Sequence, residues 1–191
     1  EGPGGFIGAM TFMRKNENDK YNGMTLVNSD PNVPGWNKSN FFLEANKNVN
    51  IERGPSGTGD LFDVDNLKHC LKTYNNSMHI ITADGGFDFS IDFNKQEILA
   101  TNLLFAQVSF AIAMQKTNGH FVLKIFDIFT KTTSDIIYLL STMYKHVFIV
   151  KPSTSRMANS EKYIVCKYFK GTNPTLINKI ISQFHKLKEH E

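Results

Sequence analysis

Three charged side chains stand where the sequence predicts strands or strand ends, and these are the residues best suited to chemistry. Asp84 follows an apolar run and precedes two glycines. It therefore lies at the carboxyl end of a predicted strand, the edge at which open α/β sheets bind ligands. Lys124 interrupts the apolar run 121–126, where an unpaired buried charge would be costly. Either Lys124 reaches solvent at the edge of the sheet, or it has acidic partners and a function, and we favour the second. Glu161 ends a connection rich in hydroxyl and amide groups.

Three loops carry groups that suit a nucleotide or sugar ligand. Residues 2–5 form a glycine-rich turn before a helix, whose N-terminus favours negative groups, although the G-x-G-x-x-G dinucleotide motif is not present. Asp60 could accept a hydrogen bond from an adenine amino group or a ribose hydroxyl. The connection 151–161 offers groups for sugar and phosphate contacts. Each loop also has a purely structural interpretation, as a plain turn, an Asx turn or a solvated hairpin loop.

An alternation of strands and helices must position these residues. Apolar residues at helical spacing predict helices over residues 6–14, from an Asp63 or Asp65 cap to 74, and over 95–115, 134–144 and 175–188. Short apolar runs predict strands over residues 21–27, 79–83, 120–126, 146–150 and 162–169. The segment 28–61 contains many prolines and glycines and is predicted to be a long loop.

The fold class that follows is α/β, with a mostly parallel sheet and helices on both of its faces. The last two strands are joined by a short polar link, 152–160, which cannot form a parallel crossover. The final strand pair is therefore predicted to be antiparallel. This arrangement resembles the Rossmann-like S-adenosylmethionine-dependent methyltransferases, although a fold alone does not assign a function.

The composition narrows the class of protein. Lys and Arg number 21 against 18 Asp and Glu, and the resulting charge of +3 permits an anionic partner without requiring one. Cys70 and Cys166 are far apart and indicate reduced thiols of an intracellular protein. The six histidines show no ligand spacing, so we predict no metal site. The most apolar run, 102–114, is too short for a membrane span, and no secretory signal opens the chain, so we expect no membrane partner.

Taken in order, the motifs along the chain resemble those of the FtsJ-like cap-specific mRNA (nucleoside-2′-O-)-methyltransferases. They are Gly2-Pro-Gly-Gly-Phe6, Gly59-Asp60, Ala83-Asp-Gly-Gly-Phe87, Asn94-x-Gln-Glu-Ile-Leu99, Gly119-His-Phe-x-x-Lys124-x-Phe-Asp127 and Lys151-Pro-x-x-Ser-Arg-x-x-Asn-Ser-Glu-x-Tyr163. Each motif is moderately specific alone, but their order and spacing together are highly specific. The resemblance covers nearly the whole chain.

The resemblance implies a role for each candidate residue. The family uses a Lys-Asp-Lys-Glu tetrad, and its last three members match Asp84, Lys124 and Glu161. Lys124 would take the proton from a ribose 2′-hydroxyl, and the two carboxylates would orient its amino group. The implied cofactor is S-adenosylmethionine, held by Gly2, Pro3, Gly4, Gly5, Phe6, Asp60, Leu61 and Asp84. The implied substrate is capped mRNA, contacted by Asn94, Arg156, Asn159 and Ser160.

The resemblance also bears on domain organisation. The first lysine of the tetrad and the strand before the glycine turn lie upstream in the family pattern. We therefore expect an N-terminally truncated methyltransferase domain over residues 1–171 and an amphipathic helix over 172–191. Other parts of a larger chain or the capping machinery are expected partners, in the nucleus, the cytoplasm or a virion.

Two alternative functions stay open. One is an FtsJ-like rRNA or tRNA 2′-O-methyltransferase, and the other is a non-catalytic RNA-binding domain that kept the fold. The signature over residues 151–163 favours the cap enzymes. The presence of three tetrad residues argues against a non-catalytic domain.

Overall fold

The computed structural model describes residues 4–28, 35–86, 95–184 and 187. Its elements in chain order are α1 (Gly5–Arg14), β1 (Tyr21–Met24), a 3-10 helix (Trp36–Ser39), α2 (Asn40–Ala45), β2 (Val49–Glu52), α3 (Val64–Tyr74), β3 (Met78–Ala83), α4 (Gln96–Met114), β4 (Gln115–Ile125), α5 (Lys131–Met143), β5 (Tyr144–Val150), β6 (Lys162–Phe169) and α6 (Pro174–Phe184). This alternation confirms the α/β class.

The strands of the described residues form two sheets. β1 and β2 pair in parallel, and the larger sheet has the order β3-β4-β6-β5. β3 and β4 are parallel, whereas β6 lies between β4 and β5 and is antiparallel to both. The predicted antiparallel pair at the C-terminal end is therefore confirmed. The carboxyl ends of β3, β4 and β5 share one edge of this sheet, and the β5–β6 connection begins there.

The two sheets are not joined by a hydrogen-bonded strand pair within the described parts of the chain. The smaller sheet is nevertheless held against α3, because the Tyr74 hydroxyl at the end of that helix donates a 2.6 Å hydrogen bond to the Glu52 carboxylate at the end of β2. The resemblance found in the sequence implies a further strand upstream of the glycine turn.

The prediction of a long loop over residues 28–61 is wrong in part, because β2 and α2 lie within it. β2 has four residues, of which only Val49 and Ile51 are apolar, so its hydrophobic pattern does not distinguish it from a loop. Its parallel pairing with β1 supplies the backbone hydrogen bonds that define it as a strand.

The core lies between the larger sheet and its helices. Burial alternates along β4, so that Phe121, Leu123 and Ile125 are at most 1% exposed. They belong to the same apolar cluster as the apolar residues of α4 from Leu104 to Ala113, and Phe184 of α6 packs against Phe105 of α4 with ring centroids 5.7 Å apart. The proposed boundary between residues 171 and 172 stays a prediction.

Helix α4 corrects one expectation from the sequence. It has 19 residues and is long and apolar enough to cross a membrane, whereas the sequence interpretation found no segment of that length. However, 67% of its apolar window is buried inside the protein. Helix α4 therefore has the burial of a core helix.

Candidate active site

Lys124 and Asp84 lie near each other at the carboxyl edge of the larger sheet. β4 lies between β3 and β6, so Lys124 does not reach solvent at the edge of the sheet. Its side chain is on the face opposite Leu123 and is only partly exposed. A Cβ atom built at Gly86 would lie 3.5 Å from Lys124 Nζ, which places the amino group beside the turn that follows Asp84.

Tyr163 connects Glu161 to Lys124. Lys124 and Tyr163 are direct partners across the antiparallel pair β4–β6, so their side chains share one face of the sheet. The Tyr163 hydroxyl donates a 2.9 Å hydrogen bond to Glu161 Oε1. Burial raises the pKa of Tyr163, and the hydrogen bond to Glu161 and the charge of Asp84 raise it further. Lys124 and Glu161 therefore lie beside Tyr163, and Asp84 is near enough for its charge to affect the pKa of this tyrosine.

An open cleft of about 550 Å³ borders this cluster. Its floor is the β4–β6–β5 face, and its walls come from the β5–β6 connection and the start of α1. The lining includes Phe6, Val122, Arg156, Asn159, Glu161 and Tyr163. Phe6 packs edge-on against Tyr163, with ring centroids 6.3 Å apart. In the described parts of the chain, no group of three or more His, Cys, Asp or Glu side chains is placed to hold a metal ion.

The β5–β6 connection is held together by its own side chains. Lys151 Nζ donates to the backbone and side-chain oxygens of Asn159, both at 2.8 Å. The hydroxyl of Ser160 donates to Gln96 Oε1 at 3.0 Å. Arg156 is exposed at the cleft. Arg156 and Asn159 thus line the cleft as a substrate contact requires, whereas Ser160 ties the connection to α4. Their RNA contacts stay predictions, and Asn94 lies outside the described residues.

The glycine turn adopts a conformation that favours glycine. Gly4 has φ +91° and is the N-cap of α1, which has no side-chain cap. A Cβ atom at Gly4 would lie 2.4 Å from the ring of Trp36, and one at Gly23 of β1 would lie 2.3 Å from the same ring. Trp36 therefore packs against both glycines, although the sequence interpretation did not single it out. Gly2 and Pro3 lie outside the described residues.

The loop between β2 and α3, residues 53–63, carries Asp60 and approaches the end of β1. A Cβ atom at Gly59 would lie 2.1 Å from the carbonyl oxygen of Thr25, so only glycine allows this contact. Asp60 Oδ1 accepts a 2.8 Å hydrogen bond from the Phe62 N–H, which is the Asx turn that the sequence left open. Leu61 packs against the core. The loop thus lies at the carboxyl end of β1, as a cofactor-binding role requires, and that role stays a prediction.

Several structurally important residues were missed by the sequence interpretation. Asn66 is fully buried and joins both ends of the Asp60 loop, since its amide donates to the Asp60 carbonyl at 3.0 Å and accepts from Ser56. Gln107 and Glu97 are buried in α4, and the sequence interpretation quoted Glu97 within a motif without giving it a role. A polar residue within a mostly apolar helix could have indicated them, because a polar group is costly to bury unless it has a hydrogen-bonding partner.

The family model of the FtsJ-like methyltransferases matches residues 1–169. The chain belongs to the FtsJ-like methyltransferase family. Its fold agrees with this assignment: a crystal structure described as a ribosomal RNA methyltransferase from Plasmodium falciparum matches with a TM-score of 0.58 at 20% identity, covering 89% of this chain and 83% of that one. At this identity the likeness concerns the fold alone.

Sequence relatives within the family carry a more specific name. Cap-specific mRNA (nucleoside-2′-O-)-methyltransferase 1 of Mus musculus is 37% identical over 177 residues, which are 88% of this chain and 20% of that protein. The Drosophila melanogaster protein of the same name is 31% identical over 202 residues, covering 100% of this chain and 25% of that protein. These comparisons confirm the resemblance found in the sequence. The chain spans about a fifth to a quarter of the length of these relatives.

Proposed function

We propose that this chain transfers a methyl group from S-adenosylmethionine to a ribose 2′-hydroxyl of capped mRNA. The observation that carries the proposal is that Asp84, Lys124 and Glu161 all lie near Tyr163 at the carboxyl edge of the larger sheet, beside a cleft that Glu161 and Tyr163 line. The names of the relatives support capped mRNA as the substrate.

The residues around the glycine turn fit an adenosine-containing cofactor. The turn at Gly4 leads into the N-terminus of α1, and a helix N-terminus favours a negative group such as the carboxylate of S-adenosylmethionine. The Asp60 loop lies at the end of β1. Gly23 of the same strand and Gly4 of the turn both pack against the ring of Trp36. Phe6 connects the turn to the cleft. We assign Gly4, Gly5, Phe6, Asp60 and Leu61 to this site, and S-adenosylmethionine supplies there an electrophilic methyl group.

Within the cleft, the chain's own residues move a proton and orient the hydroxyl. Lys124 in its neutral form accepts the proton from the 2′-hydroxyl, whose oxygen becomes a better nucleophile as the proton leaves. We assign the carboxylates of Asp84 and Glu161 to orienting the Lys124 amino group when the substrate is bound, and the Tyr163 hydroxyl donates a hydrogen bond to Glu161. Arg156 and Asn159 offer contacts to the sugar and phosphates of the RNA.

An intracellular location is part of this proposal. Cys70 and Cys166 are free and buried. Burial raises the pKa of each thiol to about 12, so both stay protonated at neutral pH. Buried, unpaired thiols are typical of proteins kept in a reducing compartment, such as the nucleus or the cytoplasm.

The test compares methyl transfer to capped and uncapped RNA of the same sequence. The protein is expressed from its complete natural reading frame, and transfer of tritium from labelled S-adenosylmethionine is measured. We expect transfer to the capped RNA, and loss to below about 1% of that rate in Lys124→Arg, because a guanidinium does not deprotonate. Lys116→Arg, at the far end of β4, is the matched control and should keep full activity.

Each possible result separates the functions considered. Equal transfer to both RNAs would favour the rRNA or tRNA alternative, and the absence of transfer would favour a non-catalytic RNA-binding domain. Substantial activity in the Lys124→Arg variant would show that Lys124 is not the base.

A further inference from the structure

The loops that carry Asp84 and Glu161, and the loop that follows the strand carrying Lys124, are each hydrogen-bonded to one helix, α4. We propose that Gln107, Glu97 and Gln96 of α4 are positioning residues that set the spacing of these loops. The proposal rests on the methyl-transfer function given above. It adds three residues that act through the catalytic ones rather than on the substrate.

Gln107 holds the turn that carries Asp84. Its Oε1 atom accepts a 2.9 Å hydrogen bond from the Gly85 N–H, and its Nε2 atom donates to the Leu103 carbonyl at 3.2 Å. The side chain is 5% exposed. A Cβ atom at Gly85 would approach Gln107 Oε1 to 2.9 Å, so a side chain there would crowd the contact. The backbone next to Asp84 is therefore fixed to α4.

Glu97 holds the loop that leaves β4 after Lys124. Its Oε2 atom accepts from the Phe129 N–H at 2.9 Å, and its Oε1 atom accepts from the N–H and the hydroxyl of Thr130, both at 2.8 Å. Thr130 is the N-cap of α5, so the Glu97 carboxylate also lies at a helix N-terminus, where negative charge is favoured. The strand that carries Lys124 is thereby tied at its carboxyl end to the first turn of α4.

Gln96 holds the connection that ends at Glu161. Its Oε1 atom accepts a 3.0 Å hydrogen bond from the hydroxyl of Ser160, the residue before Glu161. Glu161 is also held from the other side by the Tyr163 hydroxyl. The position of this carboxylate therefore depends on both α4 and β6.

A rigid helix is well suited to this role. Gln96 and Gln107 are about three turns apart, so the helix keeps their attachment points roughly 16 Å apart along its axis. Most of α4 is buried and apolar. A purely structural core helix would gain stability from apolar side chains at Glu97 and Gln107, whereas buried polar groups require partners. Here the partners are the backbone and side-chain groups of the active-site loops.

The test uses Gln107→Met, which keeps the length of the side chain but removes the acceptor for Gly85. In the naturally complete protein, we expect kcat for capped RNA to fall on the order of 100-fold with little change in KM, because a displacement of about 1 Å is enough for such a loss. Gln107→Glu keeps an acceptor and should restore most of the activity. Ser109→Ala is the matched control, since this buried hydroxyl bonds only to the Phe105 carbonyl within α4 in the contacts described.

Three outcomes would overturn the proposal. They are a wild-type kcat in Gln107→Met, an equal loss of kcat in Ser109→Ala, and a failure of Gln107→Glu to recover activity. If Gln107→Met does not fold, the half-buried Gln96→Met gives the same comparison. If the wild-type protein transfers no methyl group, the proposed function fails. The hydrogen bond between the Gly85 N–H and Gln107 is then tested separately, by amide hydrogen exchange. The Gly85 N–H should then exchange slowly in wild type and rapidly in Gln107→Met, and equal rates would overturn the positioning role.

Discussion

Replacing Glu97 by glutamine should destabilise the protein at neutral pH and make its stability less sensitive to acid. Burial raises the pKa of Glu97, but hydrogen bonds from the backbone N–H groups of Thr130 and Phe129 and from the Thr130 hydroxyl outweigh this effect. The pKa therefore lies below its ordinary value of 4.5. Because the folded-state value is lowered, the carboxylate stabilises the fold fully above 4.5, and this contribution is lost as the pH falls through the folded-state value.

The size of the effect follows from the three hydrogen bonds. A glutamine keeps one oxygen for Thr130 but turns an amide N–H₂ group towards the Phe129 N–H. One hydrogen bond to a charged acceptor is lost and the part-buried Phe129 N–H is left facing another donor, at a cost of about 1.5–3 kcal/mol in the free energy of unfolding.

Urea unfolding of the wild type and Glu97→Gln at about pH 7 and about pH 3 measures this difference. The difference between the two proteins in the free energy of unfolding should be smaller at the lower pH. Glu44→Gln, an exposed carboxylate on α2, should have no such effect. A gap of equal size at both pH values, or no gap at neutral pH, would refute the argument that an ionised Glu97 holds the loop.

Two further predictions concern packing and the cleft. Gly23→Ala should lower the free energy of unfolding by about 1–3 kcal/mol, because the added methyl group would lie within 2.3 Å of the Trp36 ring, and thermal unfolding measures this loss. Gly35→Ala is its control, since a Cβ atom there meets none of the described residues within 4 Å, and an equal loss in both variants would contradict the packing argument. Tyr163→Phe removes the hydrogen bond to Glu161 and should lower kcat about tenfold while the protein stays folded. Unchanged methyl transfer in this variant would show that Glu161 does not need Tyr163.

Local sequence patterns were sufficient for the fold class and for the family. Apolar periodicity located α4 and β6 because these segments are long or strongly apolar, and β6 has the predicted bounds. The short link before β6 predicted its antiparallel direction, since a parallel crossover needs a longer connection. A lysine within the apolar run of β4 indicated a functional group, because an unpaired charge is costly to bury.

Other features depend on contacts between residues far apart in the chain, and only the tertiary structure decided them. β2 is a strand because it pairs with β1, although its own sequence is too short and polar to predict one. Gln107 is a tether because the fold brings the Gly85 N–H to its side chain. Tyr163 holds Glu161 at the site because strand register places it opposite Lys124. A hydrogen bond of this kind leaves no periodic pattern in the sequence, because its two partners are selected by packing and not by their spacing along the chain.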